Sequence, residues 1–477
     1  MVVFTDPLIV SAFAAVTFGI PSSGQGLGGK GYVDLSVYGG IPDRKGAGIL
    51  YGLPNDPAYS PDNAPPQSLW APFYNNASIS YVRAGGAQIP FGGYAADLSD
   101  GGTVGYDQRF ASARQNYRSV RELDPASIFV LLPHDIWGAD SFTDSTSVYP
   151  CDDGDCSEYG RFLDKLTADL KSKYEMELFN LIDIWNEPDV NGFWPRSQDQ
   201  YLQQWDYAYN KYRDAFSQVP LVGPATTNPP STDYEWWINY AEHISSTQTI
   251  PDWYSAHQLL GRSAADYGND PVDSRAGLDN ILQQFNLPEK PFQINEYAAP
   301  DEQTPAYTAW FISRFERAGI FGLRANWGMN VGLHNDFARL VGPGGSDYKG
   351  DQFYTLGDWH VLNYYTQTQR GLITSAGATG SDCYDLYVTQ ERDAAITHIL
   401  AGTRGQNGPY PITVSNVDSL YQGRASLRAV VKEIPFNNAG RVDEPTVVSE
   451  TTVDVSNNQV VINLDMTIDS AYSIDLL

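Results

Sequence analysis

The feature that most constrains this chain is a rhythm. Between about residue 45 and residue 370, short apolar runs alternate eight times with stretches of helical period. The runs are AGILYG (47–52), SISYVRA (78–84), SIFVLL (127–132), FNLIDIW (179–185), PLVG (220–223), DWYSAH (252–257), PFQINE (291–296) and FGLRANW (321–327). Among the intervening stretches, Leu202, Trp205, Tyr209, Tyr212 and Phe216 share one face of 201–216, and Phe162, Leu163, Leu166 and Leu170 share one face of 157–173. Further helices are expected over 108–122, 232–246, 275–286, 304–318 and 357–368. Eight strands alternating with helices predict an α/β chain folded as a (β/α)8 barrel over 46–370. The competitor is a doubly wound open sheet, which the absence of a GxGxxG or GxxxxGK[ST] run after the first strand weakens.

After residue 371 the rhythm changes. YDLYV, AAITHIL, PITVSNV, ASLRAVVKEI, TVVSETTVDV and QVVINLDM read as strands with turn residues between them, so 371–477 is expected to form an antiparallel β-sandwich. The alternating stretch YVDLSVYGG, within 25–45, is expected to add a strand to it. Residues 8–20 are apolar and followed by small residues, which resembles a signal-peptide core, although Asp6 and Pro7 interrupt it and no basic residue precedes it. Segment 1–24 is thus expected to be a signal peptide and the protein to be secreted. The sequon Asn76-Ala77-Ser78 is a candidate glycosylation site in that setting.

Charge narrows the partners. A net charge of −27 repels nucleic acid and anionic membrane surfaces, and no run reaches the ~18 apolar residues that span a bilayer. Cys151 and Cys156 enclose DDGD and can pair in an oxidising compartment, with two free surface thiols as the alternative. A zinc site is poorly supported, since no second ligand pair follows. Cys383 reads as a lone buried thiol.

In a barrel, side chains at the C-terminal ends of the strands converge on one mouth. Here the second strand ends in Arg83, the third runs into His134, Asp135 and Trp137, and the fourth delivers Asn186 and Glu187. The sixth ends in His257, the seventh in Asn295, Glu296 and Tyr297, and the eighth in Asn326 and Trp327. Glu187 and Glu296 would face each other across the mouth. Paired carboxylates across a cleft are what cleavage of a glycosidic bond requires: one protonates the departing oxygen and the other attacks or stabilises the anomeric carbon. The plainer alternatives are a first-turn carboxylate for Glu187 and a helix-terminus contact for Glu296.

WNEP at the fourth strand, with a glutamate ending the seventh, resembles the clan A retaining glycoside hydrolases. The likeness is greatest to family 39, whose members include β-xylosidases and α-L-iduronidases. IWNEPDVNGFW also resembles that family in its nearby Phe-Trp pair, Phe193 and Trp194. The resemblance implies Glu187 as general acid/base, Glu296 as nucleophile, and Asn186 as the ligand of the hydroxyl beside the anomeric carbon. Arg83 would keep the nucleophile ionised. One departure is Arg83-Ala84-Gly85-Gly86, where family 39 xylosidases tend to have a His-Gly pair after the arginine.

The implied reaction is double displacement with retention on a carbohydrate substrate, without metal or organic cofactor, the two carboxyl groups standing roughly 5–5.5 Å apart. Exo action is favoured, with endo action on an open cleft as the enzymatic rival. An inactive carbohydrate-binding barrel is the rival of another class. Further substrate contacts are expected from His134, Asp135 and Trp137, with loop architecture as the alternative, and from Trp327 as a platform for a sugar ring. His257 is expected to contact substrate or orient the nucleophile, with a satisfied core histidine as the alternative, and Tyr297, beside the nucleophile, to contact substrate, support the site from behind or simply pack. Asp183 should face into the barrel with a partner or stand behind the site. His334, Asn335 and Asp336, in the loop after the eighth strand, take no assignment.

Overall fold

The computed structural model describes residues 29–58, 64–140, 146–173, 180–259, 261–262, 270–343 and 353–477. The segment 1–24 lies outside the described residues. Eight parallel strands close into a barrel: β2 (Gly48–Leu50), β3 (Tyr81–Ala84), β4 (Ile128–Leu131), β5 (Asn180–Asp183), β6 (Leu221–Thr226), β7 (Trp253–Gln258), β8 (Phe292–Tyr297) and β9 (Ile320–Arg324). Each lies within the corresponding apolar run or within three residues of its end. The helices behind them are α1 (Gln67–Ala77), α2 (Val104–Leu123), α3 (Ser157–Lys173), α4 (Gln198–Ala215), α5 (Glu235–Thr247), α6 (Pro271–Gln284), α7 (Pro305–Ala318) and α8 (Gly357–Asn363). The sequence reading lacked α1, in which Pro72 and two asparagines dilute the apolar period, and a short helix at Gly93–Asp100. The stretch expected as one helix over 357–368 passes into a π turn at Tyr364–Thr368.

Nine further strands form one sheet: β1 (Lys30–Tyr38), β10 (Leu372–Thr379), β11 (Tyr384–Glu391), β12 (Ile396–Thr403), β13 (Ile412–Ser415), β14 (Ser426–Ile434), β15 (Thr446–Asp454), β16 (Gln459–Ile462) and β17 (Ala471–Leu476). They run in the order β15-β14-β17-β12-β11-β10-β1-β13-β16. Strand β10 changes partner along its length: Leu372 and Ile373 pair with β11, and Thr374 onward with β1. The sheet therefore folds over at β10. Val33 and Leu35 of β1 share one apolar core with Leu386, Ile399, Ile412, Val431 and Ile474, which makes the unit a sandwich joined by the N-terminal strand.

The sandwich rests on α7, the helix that follows β8. Gly402 on β12 passes so close to α7 that a Cβ there would stand 2.2 Å from the Ala306 carbonyl oxygen. Arg317 of α7 forks onto buried Asp385 of β11 at 3.0 and 2.6 Å. A bidentate pair of this kind fixes orientation as well as contact. The helix backing the β8 strand is thus itself braced from outside.

Candidate active site

Inward and outward positions alternate along a barrel strand. On β5 and its extension, Ile182 and Ile184 join the core shared with the helices. Leu181 packs with Val130 and Val222 in an apolar layer, and Asp183 stands one layer nearer the mouth. Asp183 is fully buried and has two partners: it accepts from Arg83 Nε at 2.8 Å and from Asn295 Nδ2 at 2.7 Å. Burial raises its carboxyl to about 6 against the opposing pull of Arg83. The inward reading of Asp183 is the one the fold realises.

Arg83 is the hub. Besides Asp183, it donates from Nη1 to Glu296 Oε1 at 2.8 Å and from Nη2 to Asn186 Oδ1 at 2.7 Å. Three acceptors, two from the end of β5 and one from β8, engage all three nitrogens of one rigid guanidinium fork, a task a lysine ammonium on a flexible stem cannot share out in the same way. Replacing Arg83 with methionine would leave Asp183 buried without its cation, so a loss of roughly 3–5 kcal/mol of stability is expected. Urea denaturation of the Arg83→Met variant checks this, and an unchanged midpoint would refute the hub.

Strand β8 reaches Arg83 through an irregularity. Its pairing with β9 jumps from Ile294↔Gly322 to Tyr297↔Arg324, so two positions are passed on β8 for one on β9. Bulges re-aim side chains and occur beside active sites. Here the bulge lets neighbours Asn295 and Glu296 both face inward, one to Asp183 and the other to Arg83. Tyr297 is then turned outward, where it is 1% exposed and packs on Phe311 and Phe315 of α7 at 4.9 and 4.8 Å between ring centroids. The expected substrate contact for Tyr297 is corrected by this geometry.

Glu187 stands opposite. The β5 ladder ends at Asp183, short of the expected Trp185, and the chain continues to Glu187, whose φ is +43°. A non-glycine residue in the left-handed region costs of order 1–3 kcal/mol and persists only where its surroundings hold it. Here Glu187 N donates to the Ala225 carbonyl oxygen at 2.9 Å, beyond the end of the β5–β6 pairing. Glu187 is 9% exposed, and burial, with Asp189 adding to it, raises its pKa to about 7. His257 Nδ1 lies between the two glutamates, 2.8 Å from Glu187 Oε1 and 3.6 Å from Glu296 Oε2. Burial pushes this imidazole down to about 4, which leaves it neutral near pH 7. Burial also raises Glu296, with His257 and Arg83 opposing the rise.

One oxygen of Glu187, one of Glu296 and the His257 nitrogen lie within 4.8 Å of one another. Such a set could ligate a metal, but the hydrogen bonds among these groups and Arg83 already account for their placement.

The third-strand residues divide. PHDIWG forms a short helix, Pro133–Trp137, whose turn sends its side chains to different sides. Asp135 is buried and accepts from the Tyr51 hydroxyl. Burial raises its carboxyl to about 8. The same Tyr51 oxygen accepts from the backbone N–H groups of Gly85 and Ala87 at 2.8 and 2.9 Å, tying the first strand end to the second. His134 is buried, with its ring against Trp185 and Phe193. Trp137 is fully buried behind the strands among Tyr94, Tyr159 and Phe162 and donates to the Val148 carbonyl oxygen. It is a packing residue, which corrects its expected sugar contact.

Trp327 is 37% exposed at the rim, with its Nε1 donating to the Ala298 carbonyl oxygen at 2.7 Å. The unassigned His334 pins the loop after β9, pairing with Asn55 Nδ2 at 2.8 Å and the Ala87 carbonyl oxygen at 2.7 Å. Asn335 is buried in the same loop, and Asp336 accepts from the Arg339 backbone N–H at 3.1 Å. Tyr51 was not foreseen. Its only signal was a tyrosine ending the first apolar run. Asn295 stood among the strand ends without a role.

Cys151 and Cys156 form a disulfide with Cα atoms 4.0 Å apart. Cys383 is free and half-buried rather than buried. Asn76 is exposed in the last turn of α1. Among the described residues, no helix is long and apolar enough to cross a membrane.

No family model matches the chain, and no curated protein matches it by sequence. Solved structures do match its fold. A protein from Neocallimastix frontalis is 17% identical, with a TM-score of 0.72, the match covering 94% of this chain and 99% of that one. A family 51 α-L-arabinofuranosidase from Bifidobacterium longum is 11% identical, with a TM-score of 0.61 over 94% of this chain and 100% of that one. A monomeric β-xylosidase from Caulobacter crescentus CB15 is 15% identical, with a TM-score of 0.56 over 94% of this chain and 99% of that one. The chain therefore shares its fold, along nearly its whole length, with structures that include a β-xylosidase and an α-L-arabinofuranosidase.

Proposed function

We propose that this protein is a retaining glycoside hydrolase that releases sugar residues from an oligosaccharide or polysaccharide by double displacement. The observation that carries the reading is the asymmetry of the two glutamates. Their oxygens approach within 4.8 Å, yet only Glu296 is held by a guanidinium, while Glu187 is buried with its pKa raised to about 7. An approach this close by one oxygen of each is compatible with the ~5–5.5 Å between the carboxyl groups of a retaining pair, where one carboxylate attacks, while an inverting pair stands ~6.5–9.5 Å apart to admit a water. Glu296 attacks the anomeric carbon as Glu187 gives its proton to the departing oxygen. Glu187 then takes a proton from water, whose oxygen displaces Glu296 and frees the sugar with its configuration retained. His257 Nδ1, 2.8 Å from Glu187, can donate to the carboxylate or accept from the carboxyl, so it serves both states of the acid/base. Asn186, oriented by Arg83, bonds the hydroxyl beside the anomeric carbon.

Exo action is supported by the loop after β9. It bonds to Gly52, Asn55, Ala87 and Gln88 and so walls off the mouth beside the first and second strands. Trp327 stands on its rim as a platform for a sugar ring. The disulfide and the exposed sequon support an exported protein.

Two measurements test this. NMR of the first-formed product should show a monosaccharide of retained configuration. Early oligosaccharide products would overturn exo action, and an inverted sugar would overturn the mechanism. The pH dependence of kcat/KM should be bell-shaped. The proton on Glu187 is needed and is lost as pH rises through about 7, which sets the alkaline limb. The charge on Glu296 is needed and is lost as pH falls through a value above the ordinary glutamate range. A profile still rising at pH 9 would contradict the assignment.

A further inference from the structure

The disulfide loop does more than close on itself. Asp152, one residue after Cys151, accepts from Arg196 Nε at 2.6 Å and Nη2 at 3.0 Å, from Gln200 Nε2 at 2.9 Å, and from the Tyr149 backbone N–H at 3.0 Å. One carboxylate thus ties together the disulfide loop, the segment after Glu187 and the first turns of α4. Arg196 also donates to the Ser147 carbonyl oxygen at 3.1 Å and lies over the Tyr149 ring at 4.9 Å. The contact then runs inward through aromatic rings. Tyr149 meets Trp194 at 5.8 Å and Trp185 at 6.4 Å, and those two indoles meet at 5.2 Å.

Trp185 is two residues before Glu187, and Trp194 N donates to the Val190 carbonyl oxygen while Val190 N donates to that of Glu187. The left-handed turn at Glu187 needs support from its surroundings. This braced aromatic stack contains Trp185 and Trp194, the residues that flank that turn in the chain.

We propose that Asp152, held in place by the Cys151–Cys156 disulfide, is a positioning residue for Glu187, acting through Arg196 and the Tyr149–Trp194–Trp185 stack. This rests on the acid/base reading of Glu187 but makes its own demand. A misplaced general acid hurts most where the leaving group needs a proton, and spares substrates whose leaving group departs as a stable anion. With Asp152→Asn, and with Cys151→Ser/Cys156→Ser, kcat/KM on an alkyl glycoside should fall about tenfold. On the dinitrophenyl glycoside of the same sugar kcat/KM, which reports only the first step and needs no proton there, should stay within about twofold, while kcat falls because Glu187 must still activate water in the second step. Arg196→Lys should give the same split if Asp152→Asn folds poorly.

Equal losses of kcat/KM on both glycosides, or no loss on either, would overturn the proposal while leaving the hydrolase reading intact. An activity-independent measurement guards against the opposite case. Hydrogen exchange at the amides of Phe193 and Trp194, both bonded to the Val190 carbonyl oxygen, should quicken in Asp152→Asn. Unchanged exchange there would overturn the clamp even if wild type cleaved no glycoside tested.

Discussion

Glu296→Ala is expected to abolish turnover of an aryl glycoside, by about 10⁴-fold or more, while the protein stays folded. The catalytic half follows from chemistry: without the carboxylate no covalent intermediate forms, and the carboxylate's electrostatic partnership with the reacting carbon is lost. The folding half follows from the hub. Arg83 keeps Asp183 and Asn186 when Glu296 is removed, so no cation is left buried without a counter-charge. Azide offers a sharper readout than loss alone. A small anion entering the space vacated by Glu296 attacks the anomeric carbon directly, so the glycosyl azide formed should have inverted configuration. Turnover surviving at a tenth of wild type would remove Glu296 as nucleophile. Saccharide binding by a wild type that never turns over would favour the inactive carbohydrate-binding barrel.

How much of this was legible in the chain depends on whether local pattern or tertiary contact decides. The eight strands were readable because barrel strands are buried on both faces and stand out as apolar runs between helices. The pair Glu187 and Glu296 was readable because strand ends in this fold must converge. What failed was side-chain direction. Tyr297 was open to a pocket role or to packing because it follows Glu296, and the bulge at 294–297 decides for packing by spending two inward positions in a row and throwing Tyr297 onto Phe311 and Phe315. Trp137 was expected beside His134 and Asp135, but a short helix replaced the loop and carried the indole behind the strands. Neither a bulge nor a single helical turn leaves a periodicity long enough to read. Asp183 was the informative exception. An acid within an apolar strand demands a partner, and Arg83, 100 residues earlier, is that partner.

Replacing Glu187 separates the two glutamates by a test that loss of activity cannot provide. With Glu187→Ala, kcat on an alkyl glycoside should fall by about 10²–10⁴-fold, the contribution typical of a general acid. On a dinitrophenyl glycoside the first step needs no proton, so the glycosyl-enzyme should form and then stall, because no base remains to activate water. A rapid burst of one phenolate per enzyme followed by a slow phase is the expected trace. Azide should speed the slow phase and yield a glycosyl azide of retained configuration, since it displaces Glu296 from the already inverted intermediate. Glu187→Ala and Glu296→Ala thus give opposite azide products from one substrate, and exchanged outcomes would exchange the two roles. The structure gives a reason to expect the present order. Arg83 touches Glu296 and not the carboxylate of Glu187, so the charge that an attacking carboxylate needs is held on one side of the pocket. On the other side, burial with Asp189 nearby holds the proton that a leaving oxygen needs.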